Sequence, residues 1–299
     1  MFEARDLALL QDENRNKRKL TLKKLSSNIT AVLADDEDGD LESDLLQAVS
    51  KNLLDSSEIN RELSCKIILE ILNSRQELPS DYYACLIPAL SVRLASEEVY
   101  EECEEIRHAQ LRILQRLVTN CQRVEEERVL TGWMTEIVKI LVKTGEDKYH
   151  EGRKIAFLVM REFIVRTKRT VHLMAEPMLK PLIKSITHQH SKVRVSAIET
   201  LGLVVMHGGK TCLPDKLHTH AKFLKKLILN RSRFLLKSYI FIKYIHFQTS
   251  CPARATTLRS ARSSPSADRS NRNSMAEGLP GSVFVLVAVD SADIYMFRR

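Results

Sequence analysis

Five arginines, Arg18, Arg61, Arg107, Arg153 and Arg194, recur at spacings of 43, 46, 46 and 41 residues, and each opens the same apolar pattern. Four places after each stand Leu22, Cys65, Leu111, Phe157 and Ile198. Seven places after stand Leu25, Ile68, Leu114, Met160 and Leu201. Eleven places after stand Ile29, Leu72, Val118, Ile164 and Val205. Offsets of 4, 7 and 11 fall on one stripe of a helix with about 3.6 residues per turn, so each arginine starts an amphipathic helix. Between successive anchored helices the sequence holds a second helical run: Asp44–Leu54, Tyr82–Leu94 behind Ser80 and Asp81 as caps, Trp133–Leu141, and Pro177–Ile186, where Pro181 predicts a kink and not a break.

A unit of helix, turn and helix spanning about 40–47 residues has the length of HEAT or armadillo repeats. One helix pair cannot bury its apolar stripe, whereas stacked pairs bury it against each other. The expected fold is therefore all-α, a HEAT-type α-solenoid of about five helical pairs over residues 1–214. The anchors have a structural role in this scheme. A guanidinium at the head of the second helix donates to turn carbonyls or to a carboxylate of the adjacent unit, forming a ladder. Asp12, Asp55 and Asp147 lie just ahead of three anchors and are the carboxylates expected in it. The competing reading leaves the arginines as ordinary exposed helix residues.

The net charge of +8 is unevenly distributed. Residues 1–214 carry a net −2 and residues 215–299 a net +10, so the basic balance belongs to the C-terminal segment. Residues 215–249 form a basic apolar segment without repeat grammar, and residues 250–299, rich in Ser, Arg, Pro and Asn up to Pro280, have the composition of disorder. Val283–Val289 is a short apolar run suited to a strand but with no evident sheet. A basic segment with Phe234, Tyr239, Phe241 and Tyr244 among its lysines permits nonspecific nucleic-acid binding. No stretch is long and apolar enough for a transmembrane helix, and the start Phe2-Glu3-Ala4-Arg5-Asp6 lacks signal-peptide character. The cysteines at 65, 85, 103, 121, 212 and 251, with no CxxC pair, read as reduced core thiols of a cytosolic or nuclear protein.

Sites with chemical potential are few. His188 and His190, with His172 and His207 in reach along the chain, lack the third fixed ligand a metal needs, so turn hydrogen bonding is expected. Gly208-Gly209-Lys210-Thr211 lacks the first glycine and the preceding strand of a phosphate loop, and reads as a left-handed helix end. Asp35–Asp40 puts Ala34 where a calcium loop needs its first carboxylate. Glu101, Glu102, Glu104 and Glu105 favour the positive end of the helix anchored by Arg107. No Ser/His/Asp or Cys/His set has catalytic grammar, so no enzyme, cofactor or metal is expected.

The run from Leu179 to Arg194, Leu-Lys-Pro-Leu-Ile-Lys-Ser-Ile-Thr-His-Gln-His-Ser-Lys-Val-Arg, goes beyond a general repeat pattern. Together with Ala197, Ile198, Glu199 and Gly202 it resembles the corresponding repeat of the HEAT-repeat dynein axonemal assembly factor family. The resemblance covers roughly residues 1–210 and is specific around 176–202; known members are much longer, so the chain resembles their N-terminal portion. It implies a non-catalytic cytoplasmic scaffold for preassembly of axonemal dynein arms, upstream of ciliary motility, working with chaperones, co-chaperones and dynein chains. Lys192, Arg194 and Glu199 are the first positions expected to meet such partners. Two other functions remain open on the residues alone: a generic HEAT transport or complex-assembly adaptor, and a nucleic-acid-associated protein acting through residues 215–299.

Overall fold

The computed structural model describes residues 4–34, 40–120, 124–208, 285–289 and 293–297. The chain divides into two compact units, Met1–Cys212 and Leu213–Arg299. The first is all-helical: α1 (Ala4–Leu9), α2 (Arg15–Ala34), α3 (Asp40–Lys51), α4 (Glu58–Ser74), α5 (Ser80–Ala95), α6 (Glu104–Asn120), α7 (Val124–Gly132), α8 (Met134–Thr144), α9 (His150–Arg166), α10 (Ala175–Ser185) and α11 (Ser191–His207). The anchored helices α2, α4, α6, α9 and α11 stack in that order as one layer. Their partners α3, α5, α8 and α10 stack as a second layer, with α7 inserted before α8. This is the α-solenoid that the periodicity predicts.

The core lies between the layers. Leu22, Leu25 and Ile29 of α2, Cys65, Ile68 and Leu72 of α4, Leu111, Leu114 and Val118 of α6, and Phe157, Met160 and Ile164 of α9 are all buried. In α11 Leu201 is buried and Ile198 only half-buried. A fully buried side chain of this size contributes about 1.5–3 kcal/mol, so the repeated stripe is the main cohesive force between units. The opposing layer supplies Leu45, Leu46, Val49, Leu86, Leu90, Ile137, Leu141, Met178 and Leu182.

Several local expectations need correction. Ser80 does not cap α5; Pro79 occupies that position and the Ser80 hydroxyl lies 3.4 Å from its neighbour Asp81. The tight φ of proline suits a helix entry without any side-chain cap. Pro181, by contrast, does not break α10, as expected, and α5 likewise holds Pro88 in its interior. Gly208 ends α11 in the right-handed region, with φ −75° and ψ −1°, and Gly209, where a left-handed cap would follow, lies outside the described residues. Glycine is needed there for space: a Cβ would lie 2.8 Å from Ala175 Cβ and closer still to the Val204 carbonyl. Of the described cysteines only Cys65 is fully buried, and burial pushes its thiol far up; Cys85 and Cys103 are half-buried. The other three cysteines lie outside the described residues.

In the second unit, the described residues form one antiparallel pair, β1 (Val285–Val289) with β2 (Asp293–Phe297), in register from Val285 opposite Phe297 to Val289 opposite Asp293. The apolar run near 283–289 thus has a strand partner, supplied by a segment that carries no alternation signal clear enough to identify it. The remainder of 215–249 and 250–299 lies outside the described residues.

Leu114 sits at the centre of the α6 stripe with no solvent exposure. Leu114→Asp strands an unpaired carboxylate between the layers and is expected to cost about 3–5 kcal/mol in urea unfolding. Leu20→Asp, at an exposed position of α2, is expected to change stability by about 0.5 kcal/mol or less.

Candidate functional site

The five anchors repeat one local geometry. Each guanidinium donates to the two carbonyls of the turn ahead of its own helix, six and five residues back. Arg18 reaches Asp12 and Glu13 at 2.7 and 2.9 Å; Arg61 reaches Asp55 and Ser56 at 3.0 and 3.1 Å. Arg107 reaches Glu101 and Glu102 at 2.9 and 2.7 Å, and Arg194 reaches His188 and Gln189, both at 2.8 Å. Arg153 makes the same clasp one residue offset, onto Glu146 and Asp147. Carbonyls in these turns have no helical partner, so a five-donor fork satisfies several orphans at once.

The free edge of the fork crosses to the next unit. Arg18 Nε donates to Asp55 Oδ2 at 2.7 Å. Arg61 makes a bidentate pair with Glu101 at 2.6 and 2.7 Å. Arg107 makes one with Asp147 at 2.7 and 3.1 Å. Each receiving carboxylate stands six residues before the next anchor, and also accepts the backbone N–H two residues on: Ser57 at 2.7 Å, Cys103 at 3.3 Å, Tyr149 at 2.9 Å. One side chain therefore shapes its own turn and receives the arginine of the preceding unit. The ladder predicted from the spacing is present, and Arg61, Arg107 and Arg153 are buried, not solvent-exposed. Asp55 and Asp147 are rung carboxylates as expected. Asp12, which begins the series, pairs instead with Lys17 at 2.9 Å.

Glu101 corrects the sequence reading. It is not part of an acidic N-terminal cluster but a fully buried rung. Its signal was its place, six before Arg107, hidden because a glutamate stands where three of the other turns have aspartate. Arg93 of α5 adds a second guanidinium 3.9 Å from it, tied to the Leu53, Val99 and Asp55 carbonyls at 3.0–3.2 Å. A further buried carboxylate, Glu42 of α3, accepts from Arg75 at 2.9 Å and from the Tyr82 hydroxyl. Burial works against charge on Asp55, but the hydrogen bonds from Arg18, Asn60 and Ser57 outweigh it and hold its pKa below the usual carboxylate range. Burial also opposes charge on Arg61 and Arg107, and their carboxylates outweigh it, raising both.

The pattern breaks at the fourth rung, where position six before Arg194 is His188. Its Nδ1 accepts the His190 N–H at 3.1 Å, so the turn keeps its shape and the ring proton is assigned to Nε2. But an imidazole offers Arg153 no carboxylate, and its hydrogen bond across the gap goes to the Ser185 hydroxyl at 3.5 Å. Arg153 is accordingly lowered, by burial that Asp147 and Glu146 offset only in part. His188 is lowered too, by burial and then by Arg153, His190, His150 and Arg194. His150 stacks on His190 at 4.1 Å, a neighbour the sequence reading missed in pairing His188 and His190 with His172 and His207. No cluster among the described residues has three groups placed to hold a metal ion.

Outside the ladder, each anchored helix leaves one strip uncovered. In α6 past its first turn, Arg112 is the one exposed residue, five places after the anchor. The same position is Lys23 in α2 and Lys66 in α4, both exposed, then half-buried Leu158 in α9 and exposed Glu199 in α11. Glu199 pairs with Arg161 at 2.9 Å. Lys192 is exposed in the first turn of α11. Of the three expected partner-contact positions, Arg194 is thus a turn clasp and the other two are surface groups. No helix among the described residues is long and apolar enough to cross a membrane.

Glu101→Ala leaves Arg61 and Arg93 buried without their carboxylate, and is expected to cost about 3–5 kcal/mol in urea unfolding. Removing Glu62, whose pair with Lys66 is exposed, should cost about 0.5 kcal/mol or less. A depressed histidine pKa means that the neutral form is favoured on folding. The contribution of His188 is therefore complete above its unfolded value near 6.5 and is lost as pH falls through the lower folded value. Hydrogen exchange in α10 and α11 should accelerate over that window, and His188→Asp, which supplies the missing carboxylate, should abolish the acceleration and raise the melting midpoint.

With the geometry described, comparison with known proteins gives a consistent answer. The Dynein axonemal assembly factor 5-like, TPR repeats family matches residues 9–229. The Xenopus laevis protein Dynein axonemal assembly factor 5 is 32% identical over 222 residues, covering 72% of this chain and 25% of that protein. The Homo sapiens protein of that name is 29% identical over 184 residues, covering 60% and 21%. The chain spans about a quarter of the length of these relatives. Among solved structures, a computationally designed armadillo repeat protein for modular peptide recognition superposes with TM-score 0.55 at 18% identity, over 81% of this chain and 98% of that one. A designed armadillo repeat protein in complex with the peptide (KR)4 gives TM-score 0.53 over the same shares, also at 18% identity. Those two likenesses speak for the fold alone. The family match over most of the chain, and over all five anchors, identifies it as a member of the dynein axonemal assembly factor 5-like family.

Proposed function

We propose that this chain is a non-catalytic helical-repeat scaffold acting in the cytoplasm in the preassembly of axonemal dynein arms, and so serving ciliary motility. The observation that carries the reading is the family match across residues 9–229, which takes in every anchored helix. The architecture suits the role. Stacked pairs place one uncovered strip per unit side by side, and such a surface engages extended segments of other proteins. Axonemal dynein chains and chaperone or co-chaperone components are the partners this membership suggests. Since the chain spans about a quarter of its curated relatives, the role proposed is a share of theirs: holding client surfaces along the stacked face.

Lys192 and Glu199, exposed near the head and middle of α11, stay as proposed contact positions. Arg194 contributes by fixing the turn that presents them. A general transport or assembly adaptor is the second reading, supported by armadillo proteins that recognise peptides. It differs in the cargo expected. The nucleic-acid reading rests on the basic residues 215–299, which lie almost wholly outside the described residues.

Affinity purification of the chain from ciliating cells, followed by mass spectrometry, separates these readings. Axonemal dynein chains together with chaperone components are the expected recovery. Import cargo in their place would select the adaptor. Recovery that depends on nucleic acid and disappears on nuclease treatment would select the third reading.

A further inference from the structure

The uncovered strip of the anchored layer is not uniform. Its central position, five after each anchor, reads Lys23, Lys66, Arg112, Leu158, Glu199 along the stack, so three cations occupy three consecutive helices. α2 has six basic residues and no acidic one from Arg15 to Ala34. Lys23 forms no ion pair among the described residues. Lys66 meets only Glu62, with both side chains about half exposed, at 59% and 49%. Arg112 donates to the Gln115 side chain and, among the described residues, to no carboxylate. Arg61 and Arg107 of this layer are held by buried carboxylates; of the three surface cations, Lys66 has only an exposed partner, Glu62 at 2.7 Å, and Lys23 and Arg112 meet no carboxylate among the described residues.

We propose that this row docks an extended acidic peptide segment of a partner protein, a reading that rests on the chain being a scaffold. Stacked helices lie about 8–10 Å apart, and a segment in the extended polyproline II form rises about 3.1 Å per residue with three residues per turn, so one helix corresponds to three peptide residues and every third side chain faces the row. The segment that fits carries an acidic side chain at every third position over three such steps, followed by an apolar residue against Leu158. Beyond Leu158, Glu199 bonded to Arg161 turns the row acidic and sets the end of the acid-binding stretch. Spacing thus specifies the ligand more narrowly than charge does. Duplex nucleic acid is the competing occupant of any basic surface; a row bracketed along α4 by exposed Glu62 and Glu70 favours a narrow peptide over a duplex.

The test uses the full chain and a fluorescent peptide about 12 residues long with glutamate at every third position and a leucine after the third. Anisotropy titrations compare it with a peptide of the same composition whose glutamates are contiguous, and with a DNA duplex. The triple variant Lys23→Ala, Lys66→Ala, Arg112→Ala alters only exposed side chains and should melt with the parent protein. The expected result is binding of the spaced peptide, weakened about tenfold in the triple variant and by rising salt, with the contiguous peptide binding less tightly. Equal affinity of parent and triple variant overturns the proposal, as does tighter binding of the duplex through the same three residues. Peptide affinity is read on the purified protein, so its failure is distinct from a failure to recover dynein chains from cells.

Discussion

The buried arginine–carboxylate pair between neighbouring turns is the constraint on which the rest of this structure depends. Arg61–Glu101 and Arg107–Asp147 are bidentate and enclosed by the helix pairs they join. Such pairs add little stability over a well-packed apolar substitute, because desolvation of the charges offsets much of their attraction. What they supply is register. An apolar stripe slides against another with small loss, but a fork that must meet two turn carbonyls and a carboxylate of the next unit fits at one stagger only. Hydrophobic burial holds the layers together, and the ladder decides which turn faces which.

The same economy explains the turn residues. A carboxylate six places before an anchor shapes its own turn through the N–H two residues on, and accepts the arginine behind it. Substitution at that place is therefore graded. Glu101 retains both functions with a longer arm. His188 retains only the turn, which leaves Arg153 leaning on carbonyls of its own turn and on Ser185. The final described pair, α10 and α11, is joined to the rest by packing and by contacts such as Thr200 Oγ1 to the Phe157 carbonyl at 3.0 Å, without a carboxylate rung. The last joint of the anchored layer, α9 to α11, is therefore held by packing and by the exposed Arg161–Glu199 pair in place of a buried rung.

Much of this was legible in the sequence because the repeat is linear. Leu22, Leu111 and Met160 reveal their burial through spacing alone, and Arg18, Arg61 and Arg107 reveal their rungs by recurring with the stripe. What escaped was what spacing does not encode. Glu101 was masked by the acidic residues around it, and Arg93 belongs to the other layer, with no fixed offset from an anchor. His150 meets His190 only because successive turns stack. The cations Lys23, Lys66 and Arg112 were each visible, but as a row they exist only once α2, α4 and α6 lie side by side. The strand partner of Val285–Val289 was likewise a matter of pairing, not of local pattern.

The most direct test of the ladder as a register device is a double-mutant cycle on Arg107 and Asp147, using Arg107→Met and Asp147→Asn. The asparagine keeps an acceptor for the Tyr149 N–H, so the cycle isolates the crossing pair. A coupling free energy of about 2–4 kcal/mol in urea unfolding is predicted, since each single variant strands a buried partner that the double variant does not. Additive single effects, with coupling below about 0.5 kcal/mol, would contradict the account and leave apolar packing as the sole determinant of how the units stack.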